Sequence, residues 1–421
     1  MADGKFSDNV KCLFLIPSFY GAVTWGTWLC LYLLKLIRVD DCGMIAMGVF
    51  LFMETMFILS LVVSLPIYRQ FAEAKEPGSA DSAFAAGGWR FGTSSGLLLL
   101  HTIGFLGLAL YVVDFSRNLG GIEGFFLALV SESHAIRWEA ETSTSIGTQL
   151  SYIGWIAIAL TVYHVAAKRI PRYWLAVAVI QFLGNLLFID RTRPLWILFS
   201  SLLMILPAVG RLELRRILRW AAGSVVVALL IFWLVAEWTG KTAHEGKYDD
   251  SRLPGIAREM YAYGVGGFAY FGKMLASNEQ LSYRPVRISY PAGKLLARFG
   301  LTQQPPGQVL DYYDVPFSTN VGTFLEPFYR DGGLLFVLCG IMLYSFGFDL
   351  LGRQLLRSGR PLAIYAWSSL CFTVFIGFFT PKIGSFPLWL FVAAGCLSLL
   401  AVQSAPMAHA AGTAADRSPG P

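Results

Sequence analysis

Apolar residues fill long stretches of this chain almost without interruption, and short charged turns divide one stretch from the next. Ten stretches stand out, at residues 12–37, 43–68, 96–115, 146–166, 173–189, 194–209, 220–238, 333–351, 362–379 and 384–402. A helix of about 20 residues spans the hydrocarbon core of a bilayer, so each stretch predicts a crossing. The fifth and sixth are short and are separated only by Asp190-Arg191-Thr192-Arg193-Pro194. Pro194 suits a helix start and charges at mid-membrane are costly, so the pattern predicts two separate short crossings joined by a polar turn. Residues 239–332 break the rhythm with a long polar segment, far longer than an ordinary connection and therefore expected to be functional.

Basic residues collect in alternate turns. Lys168, Arg169 and Arg172 follow the fourth stretch; Arg211, Arg215, Arg216 and Arg219 follow the sixth; Arg353, Arg357 and Arg360 follow the eighth. The positive-inside bias places these turns in the cytoplasm. Both termini then lie inside, and residues 116–145, the Arg191–Arg193 turn and residues 239–332 lie outside. The expected fold is an all-α polytopic membrane protein. It has a seven-span bundle over 1–238, an outer loop with amphipathic helices over 239–332, three further spans over 333–404 and a disordered cytoplasmic tail over 405–421.

Composition agrees with that class. Hydrophobic residues make up 55% of the chain and charged residues only 14%, with a mean hydropathy of +0.56; soluble domains carry roughly 25% charged residues. The net charge of +6 is scattered in short clusters, so no nucleic-acid partner is expected. The six cysteines fall almost entirely in apolar runs without CxxC spacing or a neighbouring histidine, and read as small core hydrophobes. No metal or cofactor is expected. The first apolar run is too long for a signal-peptide core and should stay as a span. No internal repeat or inverted pair of broken spans argues for a secondary transporter.

Candidate chemistry gathers on the outer side. Residues 254–276 carry apolar side chains at near-helical spacing, with Arg258, Glu259 and Lys273 interleaved, and predict an amphipathic helix at the membrane surface. The following stretch, with Arg284, Arg287 and many Tyr, Asp and Pro residues, suits a groove for a polar, ring-shaped ligand. A solvated loop whose aromatics dip into the headgroups is the alternative. Arg191 and Arg193 at the mouth of two short spans would make a pyrophosphate clamp, and Arg137 is placed to join them. Acidic pairing is the bland alternative for all three. In NVGTFLEPFYRDGG, Asn320, Thr323 and Glu326 would share a face if helical, and Asp331 with two glycines would form a capping turn before the eighth span.

Together, FIDRTRP at a span end, a long outer loop and NVGTFLEPFYRDGG leading into a late span resemble the O-antigen and oligosaccharide repeat-unit polymerases of the Wzy type. Arg191-Thr192 fits that family's Arg-Thr turn, and Asn320, Thr323, Tyr329, Asp331 and Gly333 fit its Asn-x-x-Thr and Tyr-x-Asp-x-Gly runs. Asp190 departs from the small residue common there. The resemblance covers roughly residues 137–351.

It implies a GT-C-like, metal-independent glycosyltransferase at the periplasmic face of the bacterial inner membrane. Such an enzyme joins undecaprenyl-pyrophosphate-linked oligosaccharide donors and acceptors, with a flippase and a chain-length regulator as possible partners besides membrane lipids. Arg191 and Arg193 would stabilise the leaving pyrophosphate, and Asp331 and Glu326, with Asp311, Asp314 and His244, are the candidate general bases. Arg137, Arg258, Arg284, Arg287, Asn320, Thr323, Tyr329 and Arg330 would hold substrate. A ligase using the same donor, a glycolipid flippase and an assembly role are the competing readings.

Overall fold

The computed structural model describes residues 10–73, 94–131, 145–188, 190, 192–209, 255–277, 281–307, 313–315, 317–320 and 322–400, with isolated positions between 219 and 253. These residues are mostly helical. The first long helices are α1 (Pro17–Leu34), α2 (Gly43–Glu73), α3 (Ser94–Asn118), α4 (Ile122–Ser131), α5 (Ile146–Ala166), α6 (Trp174–Asn185) and α7 (Thr192–Ala208). Then come α8 (Gly255–Ala276), α9 (Tyr290–Arg298), a two-residue antiparallel ladder of β1 (Tyr313–Asp314) with β2 (Ser318–Thr319), and α10 (Leu325–Met342). A π-turn at Leu343–Gly347 leads into α11 (Phe348–Arg357), followed by α12 (Pro361–Ile376) and α13 (Phe386–Leu400).

Among the described residues, four helices are long and apolar enough to cross a bilayer: Gly43–Arg69, Ser94–Asn118, Ile146–Ala166 and the continuous run Leu325–Arg357. On α2 the reason is visible along the sequence. Ala46, Phe50, Met53, Phe57, Ser60, Ser64 and Tyr68 recur every three or four residues and are buried. The opposite stripe of Met44, Ile45, Leu51, Ile58, Leu59 and Val62 is exposed, an apolar surface that water would not tolerate at this length.

The ten expected crossings are therefore reproduced in part. The fifth, sixth, ninth and tenth stretches form shorter apolar helices of 10–17 residues. At 1.5 Å per residue the 17-residue α7 is about 25 Å long, short of the roughly 30 Å hydrocarbon core. The fifth and sixth stretches are separate helices, as the polar turn between them predicts. The seventh lies largely outside the described residues.

Three local expectations are corrected. Asn320, Gly322, Thr323 and Phe324 are not helical, so Asn320, Thr323 and Glu326 do not share a helix face. The helix begins at Leu325, and Gly332 and Gly333 form a kink inside it, with Gly333 at φ 66, where the absence of a Cβ removes the strain. Residues 255–276 are helical but do not form a free amphipathic helix. Tyr261, Val265, Phe268, Tyr270, Phe271 and Met274 are buried, and Phe268 packs on Trp25, Tyr32 and Phe50 with ring centroids 5.6, 5.3 and 4.7 Å away.

Two devices hold the bundle together. The α3–α5 seam is made of small residues: a Cβ at Gly104 would lie 2.6 Å from the Gly154 Cα, and one at Gly107 2.5 Å from the Ser151 nitrogen. Gly104→Leu should cost about 2 kcal/mol or more through overpacking. An unchanged thermal midpoint of the purified protein in detergent would contradict this account of the seam.

The second device is Asp349 of α11, buried between α1 and α2. Its carboxylate accepts from the Ser18 N–H and Oγ at 2.8 and 2.6 Å, the Ser60 Oγ at 2.7 Å and the Ser64 Oγ at 2.9 Å. The Tyr68 hydroxyl donates to its carbonyl at 2.7 Å. Nearby, the Trp367 indole N–H donates to the Leu15 carbonyl at 2.9 Å, so the N-terminal helices are closed against the C-terminal ones.

Candidate functional site

The chain restarts as a helix at Thr192 because Asp190 caps it. One carboxylate oxygen accepts from the Thr192 N–H at 2.8 Å and from its Oγ1 at 2.6 Å. The other lies 3.5 Å from the Arg193 Nε. Lys382, in the turn between α12 and α13, donates to the Thr192 Oγ1 at 3.4 Å. Partial burial opposes charge on Asp190, but Lys382, Arg193 and the two Thr192 bonds outweigh it and hold its carboxyl below the usual range. It is an anion that neutralises one of the two cations beside it.

Arg193 differs from the open clamp expected of it. Its side chain is only 9% exposed. The guanidinium carbon sits 3.8 Å from the Phe188 ring centroid, 5.2 Å from Tyr152 and 5.7 Å from Trp155, and an Nη2 contact reaches the Tyr152 hydroxyl at 3.5 Å. Aromatic faces can hold a cation without occupying its N–H donors. Its Nη1 is buried and has no hydrogen-bond partner. A buried guanidinium donor left open in this way has a standing demand for an acceptor. Arg191 and Arg137 lie outside the described residues.

The second group of candidates surrounds the start of α10. The Glu326 carboxylate is 2.7 Å from the Arg330 Nε, both are buried, and the Arg330 Nη2 donates to the Tyr270 hydroxyl at 3.3 Å. Asp331 is fully buried and accepts from the backbone N–H of Arg287 at 2.9 and 3.1 Å, the N–H of Ile288 at 2.9 Å and the Ser282 Oγ at 3.3 Å. This carboxylate fastens residues 282–288 to the kink in α10. Its oxygens are taken up by these bonds, as the Glu326 carboxylate is by Arg330.

The remaining candidates are more peripheral. The buried Thr323 Oγ1 accepts the Leu325 N–H at 3.3 Å, while Asn320, Tyr329 and Arg258 are half-buried. Tyr329 meets the Phe271 ring edge-on. Arg284 is exposed and Arg287 half-buried. Asp314 on β1 is an exposed acid among the described candidates; Asp311 and His244 lie outside the described residues.

One turn, residues 377–382, links the start of α10 to the start of α7. The Phe324 N–H, just before α10, donates to the Gly377 carbonyl at 2.7 Å, and five residues on Lys382 reaches Thr192. Lys382 was not among the sequence candidates. Its signal was present: it is the single charge in the turn between the ninth and tenth apolar stretches, which the orientation count places outside with Arg191 and Arg193. Among the described residues no group of histidine, cysteine and acidic side chains is arranged to hold a metal ion. No family model matches the chain, and neither a curated protein nor a solved structure resembles it.

Proposed function

We propose that the chain is a glycosyltransferase of the bacterial inner membrane that polymerises undecaprenyl-pyrophosphate-linked oligosaccharide repeat units at the periplasmic face. The motif resemblance supplies the reaction, and one observation supports the site: the buried, unpartnered Nη1 of Arg193 at the N-terminus of α7, beside Lys382. Helix N-termini and fixed guanidinium groups both favour a polyanion there. Arg193 and Lys382 against Asp190 leave one net positive charge, before Arg191 is counted.

In this reading an acceptor hydroxyl attacks the anomeric carbon of the donor glycan. The carbon–oxygen bond to the diphosphate breaks, and the leaving group carries away the electron pair. Arg193 and Lys382 stabilise the negative charge that develops on it, in a surrounding of low polarity where such contacts count most. The hydroxyl proton passes to a carboxylate. Glu326 and Asp331 are engaged elsewhere, so of the candidate bases among the described residues Asp314, which is exposed, is the one assigned this role.

Membranes containing the protein, supplied with a synthetic undecaprenyl-pyrophosphate-linked repeat unit, should convert it to a ladder of products on a gel. Lys382→Ala should shorten or slow the ladder. A unit that stays monomeric overturns the transferase reading, and one that only changes leaflet replaces it with a flippase.

A further inference from the structure

Residues 281–307 carry Arg284, Arg287, Lys294 and Arg298 and no acidic residue at all. Within this stretch α9 has no buried residue. It presents two adjacent rails at i,i+4 spacing, one cationic (Lys294, Arg298) and one apolar (Leu295, Phe299). Leu295 is 58% exposed, Phe299 71% and Leu301, just beyond the helix, 69%. Water does not favour so much contiguous apolar surface, and the described part of the chain does not cover it.

The segment is not adrift. Asp331 holds the backbone of Arg287 and Ile288 against the kink in α10, within the run Leu325–Arg357 that is long and apolar enough to cross a bilayer. Leu281 lies against Gly333 at the same kink, and α9 rests lightly on α13. A short helix fixed beside a candidate span, with greasy and cationic rails side by side, suits the boundary between acyl chains and headgroups. The apolar rail dips inward while the Lys and Arg stems reach back to anionic phosphates.

We propose that α9 and its flanks form an interfacial anchor that binds the anionic phospholipids of the bilayer in which the protein sits. Opposite charge selects the occupant: Arg284, Lys294 and Arg298, in a segment with no acid of its own, match a leaflet containing phosphatidylglycerol better than a zwitterionic one, while Arg287 faces Asp331. The inference concerns the lipid surface, and stands whether or not the chain transfers sugars.

Hydrogen exchange of the full-length protein in nanodiscs tests it. Peptides within residues 283–301 should exchange on the order of tenfold more slowly in equimolar phosphatidylcholine and phosphatidylglycerol than in phosphatidylcholine alone. The double variant Lys294→Glu with Arg298→Glu should lose that difference, while peptides of α3 and α5 keep wild-type exchange and report intact folding. Phe299→Ser should speed exchange in both lipids. Equal rates in the two nanodiscs, or a lipid preference surviving in the double variant, overturn the proposal. So does protection that appears in phosphatidylcholine only when a polyprenyl diphosphate is added, which would make the segment part of the substrate site. Protection that follows the number of protein copies per disc also overturns it, as self-association.

Discussion

Arg193→Ala yields protein that inserts, purifies as a single species and makes no detectable polymer, a loss on the order of 100- to 1,000-fold. The geometry predicts this split because the guanidinium combines a contact at 3.5 Å to Asp190 with an Nη1 that bonds to nothing. Arg193→Lys keeps the charge but not the planar fork, and should remain strongly impaired. The measurement is glycan ladder length per amount of folded protein, with Asp190→Asn alongside. If Arg193 serves only to pair with Asp190, both substitutions lower folded yield together and the surviving protein makes normal ladders. That outcome would reduce the α7 cluster to a capped helix start.

Asp349→Leu should cost about 3 kcal/mol or more. Three serine hydroxyls and one N–H lose their acceptor in an apolar surrounding, and each orphaned donor costs roughly 1–3 kcal/mol unless it finds a local carbonyl. In a thermal scan of the detergent-purified protein the midpoint should fall by about 3 °C or more. Asp349→Asn keeps one acceptor oxygen and should lose less. A leucine variant as stable as the wild type would show that the serines re-bond within their own helices, and that the carboxylate is not what joins α11 to α1 and α2.

The sequence made the helices legible and left their surroundings open. Residues 254–276 show a 3.6-residue apolar period, which predicts a helix but does not say whether its greasy face meets lipid or protein. The overlooked hint was glycine: a Cβ at Gly264 would strike Trp28, and one at Gly272 the Cys42 backbone, so the small residues mark where α8 docks. Asp331 read as a cap or a base because its partners, the Arg287 and Ile288 N–H groups, lie 44 and 43 residues away and carry no side-chain signature. Arg193 was legible as a charge at a span end. Its enclosure by Phe188, Tyr152 and Trp155 was not, since those rings come from two other segments. Lys382 needed only the orientation count already applied to Arg191 and Arg193.

The closure of Ser18 and Leu15 against Asp349 and Trp367 also bears on how such a chain is made. Ser18 meets its carboxylate 331 residues later and Leu15 its indole 352 residues later, so neither bond can form until those later segments have been made. Until then the early helices must rest in the lipid on their own hydrophobicity, with three serine hydroxyls lacking their final acceptor. The helices that carry Asp349 and Trp367 thus latch the early ones after the fact. A nascent protein that stops short of residue 349 stays unlatched, with Ser18, Ser60 and Ser64 left without the carboxylate that joins their helices.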